Sequence, residues 1–229
     1  MIPQGFQVSV VLPAYNESAS IGALVRRALE RVPGLLEVLV IDDGSTDDTA
    51  ARARDAGARV VSLGRNGGKG GALRRGIAEA RGDVLVFLDA DGQDDPAETV
   101  QLLEALGPGV AMVVGSRFLG TFDRGAITPI NRAGNRFLTG ALNVLFGTRF
   151  TDTQAGFKAV RREALRGVEL RARRFDIEVE LLLRVLAGGG RVIEVPVRRA
   201  PRAHGVSRLQ SFRDGTRILG RIVALRLGR

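Results

Sequence analysis

A chain of 229 residues, 45% hydrophobic and 26% charged, has the size and composition of one large globular domain or of a domain with an appendage. It contains no cysteine and a single histidine, His204, which excludes a disulfide framework, thiolate metal ligation and a multi-histidine metal site. The formal charge is +9, with acids concentrated before about residue 104 and arginine dominant from Arg117 onward. That asymmetry asks for an anionic partner, yet nucleic acid fits poorly because 5% aromatic residues, with no Trp, leave few stacking platforms.

Val8 to Leu12 reads as a short apolar strand stopped by Pro13. Ala14, Tyr15, Asn16, Glu17 and Ser18 follow as a polar loop. Asn16 or Ser18 is the candidate cap of a helix from about Ala19 to Arg31, whose apolar face is Ile21, Leu24, Val25, Ala28 and Leu29. Leu35 to Ile41 is a second strand, ending in Asp42 and Asp43. Thr46 and Asp47 suit the start of a helix over Thr49 to Ala56. The two strand-end acids fit hydrogen bonding to a base or ribose in the crevice of a nucleotide-binding sheet. Arg59 to Leu63 is a third strand. The segment GRNGGKGG, Gly64 to Gly71, offers glycines for close backbone approach to a ligand and Lys69 to meet phosphate, without the spacing of a Walker loop.

VLVFLDADGQDDP, Val84 to Pro96, combines a buried strand with Asp89 and Asp91 at its carboxyl end, separated by the small Ala90. Two carboxylates there repel unless something binds them, and they suit a divalent cation that also touches substrate phosphates, with Gln93 as a neutral oxygen. Asp94 and Asp95 read instead as a helix cap before Pro96. A helix from about Ala97 to Leu106 leads to a strand over Val110 to Val114, then Gly115, Ser116 and Arg117.

Leu119 to Thr128 is expected to be an irregular loop over the site. Asn131 to Phe146 is expected to be a helix facing the core, and TDTQAGFK, Thr151 to Lys158, a polar stretch unlike core. RRFDIEVE, Arg173 to Glu180, opens a helix through about Leu186, where Asp176, Glu178 and Glu180 fit either helix N-terminal acids or site residues. Arg191 to Val197 is a last strand, followed by a cationic segment with Arg202, His204, Ser207 and Arg208. Phe212 to Leu227 mixes arginines and apolar residues at helical spacing, which suits an anionic membrane surface or docking on the domain equally. The division expected is a domain over 1–210 and an amphipathic helix over 211–229. Repeated strand-helix alternation predicts an α/β fold with a mostly parallel sheet. Met1 to Gln7 lacks the features of a signal peptide and no run reaches the ~18 apolar residues of a membrane span, so action in the cytoplasm is expected.

Taken together, PAYNE (Pro13 to Glu17), DDGSTDDT (Asp42 to Thr49), NGGKGGALRRG (Asn66 to Gly76), DADGQ (Asp89 to Gln93), GSRF (Gly115 to Phe118), DTQAGFK (Asp152 to Lys158), FDIE (Phe175 to Glu178) and RAHGVS (Arg202 to Ser207) resemble the family 2 glycosyltransferases of the GT-A fold, specifically the dolichol-phosphate-mannose synthase branch. The resemblance implies a Rossmann-like sheet with helices on both faces. It implies a nucleotide site at Pro13, Ala14, Tyr15, Glu17 and Asp42, extended by Asp43 and Lys69. Asp89, Ala90 and Asp91 would meet ribose, sugar and metal, with Mg²⁺ or Mn²⁺ on Asp91 and Gln93. Arg117 and Arg132 would hold an acceptor phosphate, Arg202 and Ser207 would close over the donor diphosphate, and Asp176 or Glu178 would orient the sugar.

The activity implied is inverting transfer of a hexose, from GDP-mannose first and UDP-glucose second, to a polyprenyl (dolichyl) phosphate on the cytoplasmic face of a membrane. Transfer to a small soluble acceptor such as a phosphorylated glycerate, or silent binding of nucleotide sugar at a membrane, are the alternatives. Many members of the branch carry transmembrane helices after the catalytic domain, so membrane access here is expected from the terminal helix or a separate membrane-anchored partner.

Overall fold

The apolar runs near the start of the chain form the middle of a seven-stranded sheet in a computed structural model, which describes residues 5–202, 204 and 211–228. The strands are β1 (Val8–Ala14), β2 (Leu35–Asp42), β3 (Arg59–Ser62), β4 (Val84–Phe87), β5 (Val110–Phe122), β6 (Lys158–Arg161) and β7 (Arg191–Arg199). Their order across the sheet is β3-β2-β1-β4-β6-β5-β7. β6 runs antiparallel to both its neighbours, and the other pairings are parallel. The helices are α1 (Ile21–Arg31), α2 (Thr49–Asp55), α3 (Lys69–Glu79), α4 (Thr99–Ala105), α5 (Pro129–Phe146), α6 (Ile177–Ala187) and α7 (Ser211–Arg226).

Burial on both faces explains why β1 is apolar apart from Ser9. Val8, Val10 and Leu12 pack with α1 and α4 on one face, while Val11 packs with α3 on the other. Helices α5, α6 and α7 share that second face. The parallel register places the carboxyl ends of β1, β2 and β4 along one edge, with Ala14 opposite Asp42. In an open α/β sheet that edge is where ligands bind.

Four expectations differ from the structure. β1 continues through Pro13 to Ala14, because its ladder with β4 ends at Val11 and a residue lacking an N–H is tolerated where only β2 remains as partner. β5 continues to Phe122, so the irregular segment is confined to 123–128. A register shift between Ser116 and Thr121 hides that strand from the sequence, and Gly120 allows the approach: a Cβ there would lie 2.0 Å from the Val197 carbonyl oxygen. β7 likewise runs two residues further, to Arg199, paired with Phe122. Finally, the polar stretch before β6 is core: Asp152, Thr153, Ala155, Phe157 and Lys158 are all buried.

α7 packs against α5 and α6, burying Ile218 and Ile222. Each such side chain contributes about 1.5–3 kcal/mol relative to exposure. Phe212 of the same helix and Leu227 just beyond it remain exposed.

Candidate active site

The carboxyl ends of β1, β2 and β4 open into a cleft of about 1300 Å³, walled on its far side by α5 and α7. Its first rim is built by two loops that hold each other. Asn16, in the left-handed region at φ 54°, receives the Thr46 N–H on its Oδ1 at 2.8 Å, and its own N–H donates to Ser45 Oγ at 2.9 Å. Asn is the non-glycine residue most tolerant of that conformation. The Glu17 N–H donates to Thr49 Oγ1 at 2.8 Å, and Asp42 Oδ1 accepts from the Ser45 N–H at 3.0 Å. Asp43 accepts the N–H groups of Gly67 and Gly68, both at 2.8 Å, and so anchors the glycine loop. Burial pushes the Asp43 carboxyl up, against the pull of those two donors. Gly68 has φ 81°, and a Cβ there would come within 2.4 Å of the Arg173 carbonyl oxygen, so the loop requires glycine.

The floor is an alternation of charges. Lys69, at the start of α3, donates to Asp89 Oδ1 and lies 2.8 Å from Glu178 Oε1 in the first turn of α6. Glu178 Oε2 in turn accepts from Lys158, a fully buried lysine at the start of β6. Burial works against the Lys69 charge, but Asp89 and Glu178 outweigh it and hold the ammonium above its usual value. Asp89 is held well below the carboxylate range, because Lys69 and Arg199 overcome the cost of its burial.

Arg199, the last residue of β7, donates to Asp94 and, at 3.0 Å, to Gln93 Oε1, and lies 3.6 Å from Asp91 and 3.8 Å from Asp89. Arg202 bridges Asp91 at 2.7 Å and Glu17 at 3.1 Å. On the opposite wall Arg117 makes a two-point pair with the buried Asp152, Nε to Oδ2 at 2.6 Å and Nη2 to Oδ1 at 2.8 Å. Glu194 of β7 holds that segment from below through the N–H groups of Thr151 and Asp152, each at 2.8 Å.

Of the residues singled out in the sequence, Pro13, Ala14, Tyr15, Glu17, Asp43, Lys69, Asp89, Ala90, Asp91, Gln93, Arg117, Glu178 and Arg202 line this cleft. Asp42 is buried at the end of β2 beside it. Two are elsewhere. Arg132 lies on an exposed face of α5 with its guanidinium 5.5 Å from the Phe122 ring centroid, while Asn131 and Asn135 of the same helix face the cleft. Asp176 accepts from the Arg174 N–H at 3.1 Å and lies 3.5 Å from Arg221 of α7, so it fastens α6 to α7. Ser207 and Arg208 lie outside the described residues. The sequence missed Arg199, Asp152 and Lys158.

Asp91 is a carboxylate that a divalent cation would relieve. Burial raises its pKa, and the neighbouring Asp89 and Asp94 charges add to that effect, against Arg199 and Arg202. Gln93, expected as a second metal ligand, is committed instead: its oxygen accepts from Arg199, and its amide donates to the carbonyls of Ala200 at 2.8 Å and Ala126 at 3.2 Å. No cluster of three acidic or histidine side chains able to hold a metal occurs among the described residues. An ion here would therefore lean on Asp91, with phosphate oxygens completing its shell.

Residues 9–168 match the family described as glycosyl transferase family 2. Glycosyltransferase AglJ of Haloferax volcanii is 34% identical over 216 residues, which cover 93% of this chain and 70% of that protein. The dolichol-phosphate mannosyltransferase of Pyrococcus furiosus is 32% identical over 89% of this chain and 59% of its own length. Among solved structures, glucosyl-3-phosphoglycerate synthase of Mycobacterium tuberculosis, in complex with Mn²⁺, UDP and glucosyl-3-phosphoglycerate, superposes with a TM-score of 0.78 at 30% identity, over 98% of this chain and 81% of that one. The chain belongs to glycosyl transferase family 2, and its sheet and helices form the GT-A fold.

Proposed function

We propose that this chain transfers a hexose from a nucleotide sugar to a polyprenyl phosphate, with inversion at the anomeric carbon, at the cytoplasmic face of a membrane. The observation that carries the reading is the change of chemistry along one cleft. The floor is charged, whereas Ile130 and Phe137 of α5 and Phe212 of α7, 70%, 65% and 90% exposed, form an apolar mouth. An acceptor with an anionic head and an apolar tail matches both ends. GDP-mannose is the first-choice donor, the Pyrococcus furiosus relative being named a mannosyltransferase, and UDP-glucose the second, structures of the mycobacterial synthase including a complex with UDP-glucose.

Mg²⁺ or Mn²⁺ held by Asp91 would neutralise charge on the departing nucleoside diphosphate. The chain's own groups do the rest. Glu17 and the interlocked loops after β1 and β2 bind and orient the nucleoside. Arg202, freed from Asp91 and Glu17, meets the diphosphate, and Lys69 is close enough to share it. A phosphate acceptor is already an anion at neutral pH, so no strong base is needed. The work is positioning and charge stabilisation. Arg117, aimed by Asp152, is the cation on the acceptor side.

Ile130, Phe137 and Val144 recur at seven-residue intervals on α5, 70%, 65% and 85% exposed, beside the exposed Arg132 and Arg136. With Phe212 of α7 they form a cationic, apolar face suited to an anionic bilayer. No helix among the described residues is long and apolar enough to cross a membrane, so association through this face or through a membrane-anchored partner is the proposal. Incubating the protein with Mn²⁺, a short polyprenyl phosphate and either GDP-mannose or UDP-glucose tests the reading. A glycolipid of the expected mass supports it, and donor binding without glycolipid removes it.

A second reading keeps the donor and replaces the lipid with a small phosphorylated acid. Structures of the mycobacterial synthase include a complex with phosphoglyceric acid, and Arg117 would serve that anion equally well.

A further inference from the structure

We infer that Lys158 is a positioning residue that acts on the donor cleft through Glu178. Lys158 has no exposed surface. Its Nζ has two oxygen partners, the Ala155 carbonyl and Glu178 Oε2. The other Glu178 oxygen lies 2.8 Å from Lys69 Nζ, and Lys69 donates to Asp89 Oδ1. Lysine and carboxylate alternate along this chain, two of each, so the buried charges cancel. Lys69, Asp89 and Glu178 line the cleft, and Lys158 does not.

The segment that carries Lys158 also fits closely under the other end of the chain. A Cβ on Gly156 would lie 2.9 Å from both Asp89 Oδ2 and Lys69 Nζ. The backbone at Gly156 therefore packs close against the Lys69–Asp89 pair with no room for a side chain, while the Lys158 side chain fixes Glu178. Burial draws the Lys158 ammonium down from its usual value, and Glu178 opposes that.

The arrangement has a consequence when substrate enters. A diphosphate competes with Glu178 and Asp89 for Lys69. When Lys69 turns to phosphate, Glu178 loses one of its two cations and keeps Lys158. Lys158 thus holds Glu178 in place, with one oxygen facing the cleft, in both the empty and the loaded site. A methionine of similar length would fill the same space without doing this.

The inference rests on the donor-cleft reading above, and a double-mutant cycle on the full chain tests it. Wild type, K158M, E178Q and K158M/E178Q are compared by melting temperature and by calorimetric affinity for UDP-glucose and GDP-mannose with Mn²⁺. The expected result is about a tenfold loss of affinity for K158M and for E178Q, with the double variant no weaker than E178Q and melting at or above it. Losses that multiply to about a hundredfold in the double variant overturn the inference, as does wild-type affinity in K158M. Should K158M fail to fold, E178Q against the charge-balanced double variant decides: equal affinity supports the role and a further drop removes it. A wild-type protein that binds neither sugar nucleotide overturns the glycosyl-transfer reading and the positioning role with it, while the melting temperatures still report whether Lys158 and Glu178 are coupled.

Discussion

The half of the molecule built on β1 to β4 and the half built on β5 to β7 with α5 to α7 meet at the cleft, and they bring mostly opposite charges to it, Glu178 of α6 being the acid on the second side. The first supplies acids: Glu17, Asp43, Asp89, Asp91 and Asp94 stand at strand ends or in the loops that follow. Apart from Lys69, the cations that answer them come from the second half. Arg199 reaches Asp94 across 105 residues of sequence, and Arg202 reaches Asp91 across 111. The acids are placed by local structure and the cations by the closing of the sheet. A substrate carrying phosphates, together with a metal ion, can replace this internal match with an external one. On the proposed reading phosphate would take Arg202 and the metal Asp91, so the buried charges would stay balanced.

Breaking the match from the acidic side has the largest expected effect. Asp91→Ala should lower transfer by about 10²–10³-fold or more while the protein stays folded, since Arg202 retains Glu17 and Arg199 retains Asp94. Steady-state rates and a melting curve check both halves of that statement. Breaking it from the basic side should act first on stability. Arg199→Met strands the 2%-exposed Asp94 carboxylate and should cost about 3–5 kcal/mol in urea unfolding.

Arg202 is more exposed, at 19% of its side chain. Arg202→Ala should weaken nucleotide-sugar affinity about tenfold to a hundredfold and shift the melting temperature little. Acid sharpens the comparison further. Asp89 has a depressed pKa in the folded state, so its contribution is complete above the unfolded carboxylate value of about 4 and is lost as the pH falls below it. The stability advantage of wild type over Asp89→Asn should stay constant from about pH 8 to 5 and shrink below about pH 4. The smallest effect concerns the outer face: Val144→Glu should reduce binding to anionic vesicles severalfold and leave donor affinity unchanged.

The two halves also differ in how far the sequence reveals them. Strand-end acids are legible because a buried run and the carboxylates just past it lie within a few residues, as in VLVFLDAD. The cations are not. Arg199 lies two residues past the strand end expected at Val197, because the strand that carries it is held in register by Phe122, beyond a bulge that no local pattern announces. Lys158 stood in a polar-looking stretch, and only the fold buries it against Glu178. Arg132 and Asp176 were assigned to the site by motif, but a motif does not say which face of a helix looks inward. Arg132 faces Phe122, and Asp176 faces Arg221. The fold itself read well because period-two burial and strand-helix alternation are short-range signals.

The account stands or falls on what receives the sugar. Its most direct test offers the protein, with Mn²⁺ and one labelled nucleotide sugar, equal concentrations of a polyprenyl phosphate and phosphoglyceric acid, and measures where the label goes. The apolar mouth formed by Ile130, Phe137 and Phe212 predicts label in the organic phase, on the lipid. Label retained in water on phosphoglyceric acid would contradict a lipid acceptor and leave the cleft serving a soluble one.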